Sequence, residues 1–275
     1  ADLVKAPMTN VSNLLTGKVS GITAVQSSGR PGEDGASIKV RGVNDFANSG
    51  PLVLVDGVQM DMNLVNPNDI ESVSILKDAS AAIYGVEGAN GVILITTKKG
   101  QEGMARISYS GTFSWVRNTA LPEFCDAEEY IYWHNKASIM DGVTPRYDAD
   151  ILRRVREAAP DDYLGNTDWF KEIFRTGFTQ QHNVSATGGG KNTSYFVSGG
   201  IMDQQGTMRG TNYRRYNVRS NLEMKVAKNL RFASTIAAFR TEKDYPNTDM
   251  SEQSSYNPSS EAVYTLPIFQ KEYQG

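Results

Sequence analysis

From Arg106 to Trp115, polar and apolar residues alternate without a break. Arg106, Ser108, Ser110, Thr112 and Ser114 occupy one set of positions, and Ile107, Tyr109, Gly111, Phe113 and Trp115 the other. Successive strand side chains point to opposite faces, so this is a strand with one apolar and one small-polar face. The same period returns in four later stretches. Phe178 to Thr187 sets Val184 and Ala186 against Thr179, Gln181, Asn183, Ser185 and Thr187. Thr193 to Asp203 places Tyr195, Val197, Gly199 and Ile201 on one face. In Tyr213 to Val226, Tyr216, Val218, Leu222, Met224 and Val226 oppose Arg215, Asn217, Arg219, Asn221, Glu223 and Lys225. Leu230 to Arg240 gathers Leu230, Phe232, Ile236 and Ala238. These strands are about 10 to 14 residues long, near the length that crosses a bilayer at a tilt. Their connections alternate between long (118–177) and tight (the turns GGGKN and Ala227-Lys228-Asn229), as outer-membrane barrels alternate outer loops with periplasmic turns. The pattern favours antiparallel transmembrane β-barrel strands. A soluble β-sandwich binding or adhesion module produces the same alternation and stays open as a rival.

The first hundred residues follow another plan, a mixed α/β domain ending near Gly103. Thr9 or Asn10 can cap a short helix bearing Val11, Leu14 and Leu15, stopped by Gly17. Strands are expected over 19–26, 37–41, 52–55 and 72–77, with a turn-rich loop at SSGRPGEDG and a tight turn at Asp56-Gly57. Asn66-Pro67 starts a turn of helix, and Asp78 caps another that Gly85 closes in the left-handed conformation. Val92 to Thr96 is an unbroken run of the kind buried on both faces. Within the long excursion 118–177, Asp126 and Glu129 form a capping-box pattern, and a second helix is expected over Asp148 to Ala159.

Composition narrows the chemistry. The formal net charge is -3, from 28 basic and 31 acidic residues, which gives no electrostatic case for nucleic acid. No run approaches the roughly 18 apolar residues of a spanning helix. The single cysteine, Cys125, forbids an internal disulfide, and no basic neighbour activates it. The first residues lack a signal-peptide pattern, so the chain reads as processed or as an internal piece of a longer protein.

No catalytic site, metal site or cofactor is expected. Only His134 and His182 are present, and Gly188-Gly189-Gly190-Lys191-Asn192 lacks the spaced first Gly and following Ser/Thr of a phosphate loop. Asp61-Met62-Asn63 reads as a plain turn, and Asp161-Asp162 as a solvated pair. Tyr130, Tyr132, Trp133 and Trp169 suit sugar rings by their flat apolar faces, although packing of loop helices accounts for them as well.

The residues also resemble a known family. VSNLLTGKVSGI (11–22), IKVRGV (38–43), PLVLVDGV (51–58) and NPNDIESVSILKDASAAIYGVEGANGVILITTKKG (66–100) resemble the plug of SusC/RagA-like TonB-dependent outer-membrane transporters. NTDWFKEIFRTG (166–177), HNVSATGG (182–189) and YFVSGGIMDQQG (195–206) resemble that family's early barrel region, in the same order. Val86-Glu87-Gly88 departs from the small polar and basic residues more common before that glycine. The resemblance implies a plug domain at 1–103, then at 104–275 the first part of a barrel of about 22 strands. It implies TonB-dependent import of a bulky nutrient at the bacterial outer membrane, an oligosaccharide by preference and an oligopeptide as alternative, rather than enzymatic turnover. The implied partners are a SusD-like surface lipoprotein, outer-membrane lipid, and TonB through a segment upstream of this chain. Asn44, Asp45, Phe46 and Asn48 of the loop after Arg41-Gly42, together with Trp133, are the candidate substrate contacts, with a turn packed against the barrel wall as the alternative reading of that loop.

Overall fold

Asp56 and Gly57 both take positive φ, 50° and 88°, which closes the tight turn the dipeptide predicts and returns the chain on itself. An aspartate tolerates this left-handed region better than most residues. The structure is a computed structural model, and it describes residues 10–18, 21–40, 50–246 and 258–272. Asn44, Asp45, Phe46 and Asn48, the candidate cap Thr9 and the start of the strand expected from Val19 lie outside the described residues, as does the side chain of Asp78.

The chain divides into two compact units, the first comprising Ala1–Trp115, Phe178–Gly206 and Thr211–Asp244. In it, helix α1 (Val11–Leu15) leads to an antiparallel pair, β1 (Ile22–Val25) with β2 (Ser37–Val40). A four-stranded sheet follows in the order β4-β3-β6-β5, from β3 (Leu52–Val55), β4 (Val58–Gln59), β5 (Ile70–Leu76) and β6 (Val92–Thr97). Strand β6 runs parallel to β3 and antiparallel to β5. Its Ile93 and Ile95 join Val11, Leu15, Ile38, Val55 and Ile70 in one core, while Val92 packs with Leu52 and Ala81 on the other side. Burial on both faces explains why this strand reads as an unbroken apolar run. The helix expected after Asp78 is instead a run of 3-10 turns, Asp78–Ser80 and then Ala82–Gly88, the latter broken at Gly85 with φ 64° and ψ -145°. That glycine therefore takes a conformation other than the left-handed helical one expected for it.

Five long strands form a separate sheet, in the order β11-β10-β9-β8-β7. They are β7 (Gly103–Val116), β8 (Gly177–Gly189), β9 (Thr193–Gln205), β10 (Asn212–Ala227) and β11 (Leu230–Asp244). Neighbours among β8 to β11 pair antiparallel, for example Val184↔Gly199↔Val218↔Ala238, and the register shifts once, between Lys225 and Ala227 at the end of β10 against β11. The Gly-rich segment 188–192 lies within the β8–β9 hairpin, whose turn closes with Gly190 N–H donating to Thr193 O. Along β10 burial alternates with the sequence: Tyr213, Arg215, Arg219 and Asn221 are buried, whereas Tyr216, Val218 and Val226 are exposed. From Tyr216 to Val226 the apolar face spans ten steps of about 3.4 Å, or about 24 Å at a 45° tilt, matching the apolar band of outer-membrane barrels. Phe113, Trp115, Phe178 and His182 cluster on the same face of β7 and β8. Among the described residues no helix is long and apolar enough to cross a membrane.

The second unit, Val116–Gly177, Thr207–Gly210 and Tyr245–Gly275, is helical. Helix α2 (Ala127–Met140) begins with the complete capping box, Asp126 accepting from Glu129 N–H and Glu129 accepting from Asp126 N–H. Helix α3 (Ala149–Glu157) is capped by Asp148, and α4 (Trp169–Ile173) and α5 (Pro258–Tyr264) complete the set. Ala127, Ile131, Tyr147, Val155, Leu164 and Ile268 form its core. Asp162 corrects the expectation of a solvated acidic pair: it receives two hydrogen bonds from Arg154, at 2.7 and 2.8 Å, with its side chain 13% exposed. The Arg154 guanidinium brings its carboxyl down to about 2.

Candidate functional site: a polar seam between plug and wall

Within the first unit, the small mixed sheet meets the long-stranded sheet through polar groups. Positions of β8, β9 and β10 that alternate with the exposed apolar ones supply amides, guanidiniums and hydroxyls. The small sheet supplies turns and strand ends.

The densest cluster surrounds the Asp56-Gly57 turn. Asp56 Oδ1 accepts from Thr97 N–H at 2.9 Å, and Oδ2 accepts from the Thr97 hydroxyl at 2.7 Å. Arg219 of β10, 5% exposed, donates to Asp56 Oδ2 at 3.0 Å. Asn221 donates from Nδ2 to Thr97 Oγ1 at 2.9 Å and to Lys98 O at 2.7 Å. Two residues after Thr97, Lys99 pairs with Glu223 at 2.8 Å in a more exposed setting. Arg219, Asn221 and Glu223 are alternate residues of one strand, so β10 holds the exit of β6 like a row of clasps.

Two further clusters lie along the seam. Asn66, which caps a 3-10 turn through Asn68 N–H, donates from Nδ2 to Asn183 Oδ1 of β8 at 2.8 Å. Gly200 of β9 permits this approach: a Cβ there would come within 2.6 Å of Asn66 Nδ2 and 3.1 Å of Asn183 Oδ1. Asp34 bridges Asn10 at 2.7 Å and Gln204 of β9 at 2.8 Å. Arg215, fully buried, donates to the Asn63 carbonyl. Asp61 spends its carboxylate on Asn63 N–H at the start of a 3-10 turn, the plain turn its sequence suggests.

Asp69 is the seam's least comfortable group. It is 1% exposed, and its Oδ1 has no partner. Burial pushes its carboxyl above the ordinary carboxylate range, against the opposing pull of the Ser198 hydroxyl and of the Arg219, Lys98 and Arg215 cations.

The sequence-predicted contact Trp133 lies on α2, 55% exposed, edge-on to Tyr132, with Lys136 Nζ 4.9 Å from its ring centre. Tyr130 packs on the helical core, and Trp169 donates its indole N–H to Leu266 O. Two of the four loop aromatics are thus structural, and two face outward. A cavity of about 810 Å³ in this second unit is lined by Phe124, Cys125, Tyr130, Trp169 and Leu266 among others. The seam itself is not legible in the sequence. Asp56 is legible only as a turn residue and Arg219 only as the polar side of an alternation. One signal was available: β7 carries mostly small polar residues on its polar side, while β10 carries Arg, Asn and Glu, side chains long enough to reach another body.

The TonB-dependent receptor plug domain family matches residues 1–92. SusC of Bacteroides thetaiotaomicron, a TonB-dependent receptor, is 37% identical over 234 residues, covering 80% of this chain and 22% of that protein. TonB-dependent receptor P3 of Formosa agariphila is 31% identical over 90% of this chain and 23% of its own length. A structure of the RagAB peptide transporter superposes with a TM-score of 0.81 at 28% identity, over 97% of this chain and 32% of that one. The siderophore receptor PirA of Acinetobacter baumannii, at 17% identity and a TM-score of 0.51, shares the fold. The chain spans about a quarter of the length of the curated relatives it matches. A small mixed sheet clasped to a wall of long antiparallel strands, with these relatives, identifies this chain as SusC/RagA-like: a TonB-dependent receptor plug domain followed by antiparallel strands of the barrel type.

Proposed function

We propose that the chain is the gate and first wall of a transporter that imports a bulky nutrient across the bacterial outer membrane, drawing its energy through TonB. Residues 1–103 act as the plug, 104–275 begin the barrel, and 118–177 form an extracellular loop. The observation that carries this reading is the chemistry of the seam. Hydrogen bonds and ion pairs such as Asn66–Asn183 and Asp56–Arg219 hold the plug, and water can replace each of them once the plug is pulled. An apolar interface would forfeit its full burial energy on exposure. TonB engages a segment upstream of this chain, and a SusD-like surface lipoprotein captures the ligand outside. The protein performs transport and no turnover.

An oligosaccharide is the favoured cargo, in keeping with 37% identity to SusC. Asn44, Asp45, Phe46 and Asn48 at the plug's outer surface and the outward-facing Trp133 serve as its contacts. The fold match to a RagAB peptide importer favours an oligopeptide as second reading. Growth of a deletion strain on defined oligosaccharides and on oligopeptides, each with and without the complementing gene, separates the two. Gene-dependent growth on glycans supports the first and on peptides the second. Uptake that persists in a strain lacking TonB refutes both.

A further inference from the structure

Inside the strands, past Gly103 at the start of β7, the outward face of the long-stranded sheet carries Gly111, Gly188 and Gly199. Two are roofed by tyrosines: a Cβ at Gly111 would meet Tyr109 Oη at 2.9 Å, and one at Gly188 would meet Tyr195 Oη at 2.7 Å. Such rings restore the packing that a missing side chain removes. Gly199 has no roof, since a Cβ there would meet nothing within 4 Å. Its register partners are Val184 and Val218, and Ala238 continues the row. Neighbouring strands lie about 4.8 Å apart, so the two valines flank the glycine with about 10 Å between their backbones. The result is a trough of about 510 Å³ with Val184, Ile201, Val218 and Ala238 among its walls.

The rim of this trough is polar. In the adjoining row His182, Ile201, Tyr216 and Arg240 stand side by side. His182 Nδ1 is engaged by Tyr109 Oη at 2.7 Å. Arg240 touches Glu242 through Nη2 at 2.8 Å and is 77% exposed, which leaves guanidinium donors facing outward. This row lies toward the strand ends joined by the long excursion, and the tight turns close the opposite ends. In outer-membrane barrels long connections are extracellular, so the rim sits at the level of outer-leaflet headgroups and the trough just beneath them.

At that depth the surroundings are hydrocarbon, and an unfilled gap would forfeit dispersion contacts on every lining side chain. We propose that the trough holds one acyl chain of a phosphate-bearing outer-leaflet lipid, laid over Gly199 with its headgroup beside Arg240. This rests on the outer-membrane reading above. It assigns the strand face one discrete lipid site in place of a uniform annulus. Charge-assisted hydrogen bonds from a guanidinium suit a phosphate, and Tyr216 adds a hydroxyl at the same level.

The test uses the full-length transporter purified in non-ionic detergent, with native mass spectrometry after adding phosphatidylglycerol or a diacylglycerol with the same acyl chains and no phosphate. The wild type is expected to retain one phosphatidylglycerol beyond a statistical distribution. A Cβ at Gly199 meets nothing within 4 Å, so Gly199→Leu places its side chain in the trough and should lower retention of both lipids about fivefold, since it displaces the contacts a chain would make. Arg240→Gln should lower only phosphatidylglycerol retention. Unchanged retention in Gly199→Leu overturns the site, and unchanged phosphatidylglycerol retention in Arg240→Gln overturns the headgroup assignment. Folding of both variants is read separately from heat-modifiable migration of the barrel. A wild-type protein that stays soluble without detergent would instead remove the outer-membrane reading itself.

Discussion

Removing the Arg219 guanidinium tests the clasp that closes the exit of β6. Arg219 is 5% exposed and donates to Asp56 at 3.0 Å, and the Asp56 side chain is 18% exposed. Breaking a buried ion pair by deleting one partner costs about 3–5 kcal/mol, because the other charge is left uncompensated. Asp56 keeps two hydrogen bonds from Thr97 in the Arg219→Ala protein, so the cost should fall to about 2–3 kcal/mol. If plug detachment is a fast pre-equilibrium, the detached population rises by about 30- to 150-fold. The assay is limited proteolysis of the plug in the full-length transporter in detergent, with heat-modifiable migration confirming an intact barrel. Lys99→Ala is the internal control. Its pair with Glu223 is exposed at 57% and 46%, so the change should stay below about 1 kcal/mol, or fivefold in cleavage. Cleavage of Arg219→Ala within twofold of the wild type, or equal to that of Lys99→Ala, would refute the clasp.

Adjacent glycines should behave oppositely. Gly200→Ala drives a methyl group toward the Asn66–Asn183 hydrogen bond and is expected to weaken plug attachment by about 1–3 kcal/mol in the same proteolysis assay, whereas Gly199→Ala should leave it unchanged. Asp69→Asn should make the plug more resistant to proteolysis at pH 7. Because the folded carboxyl titrates above its unfolded value of 3.8, ionisation destabilises the docked plug as pH rises through the interval above that value. The advantage of the variant should therefore vanish near pH 4, and an equal advantage at both pH values would count against a buried, reluctant carboxyl. In the helical unit the sign reverses: Asp162 titrates near 2, below the unfolded 3.8. Its contribution is complete above pH 4 and fades toward pH 2. Amide exchange around Asp162 to Leu164 should show that loss in the wild type, and Asp162→Asn should show weak protection at every pH.

Much of this architecture was legible because it depends on short-range rules. Period-two polarity assigns each residue of β10 to a face without reference to any partner. The Asp126–Glu129 capping box and the Asp56-Gly57 turn are closed by residues three apart or adjacent. The kink at Gly85 is not legible in the sequence, because a run of 3-10 turns and an α-helical turn draw on the same small residues. The solvated reading of Asp162 failed because its partner Arg154 comes from the facing end of α3, a matter of chain path. The proposed contacts at Asn44 to Asn48 lie outside the described residues, so only Trp133 among them has a described setting.

The seam marks the boundary between the two kinds of knowledge. By itself the sequence determined that β10 would present Arg215, Asn217, Arg219 and Asn221 together on one side, since alternation is a local property of the backbone. Only the tertiary structure decided that Arg219 meets Asp56 across 163 residues, that Asn183 meets Asn66 across 117, and that Gln204 meets Asp34 across 170. Those pairings follow from how two sheets are brought together. A residue's own neighbours in the chain carry no record of that meeting.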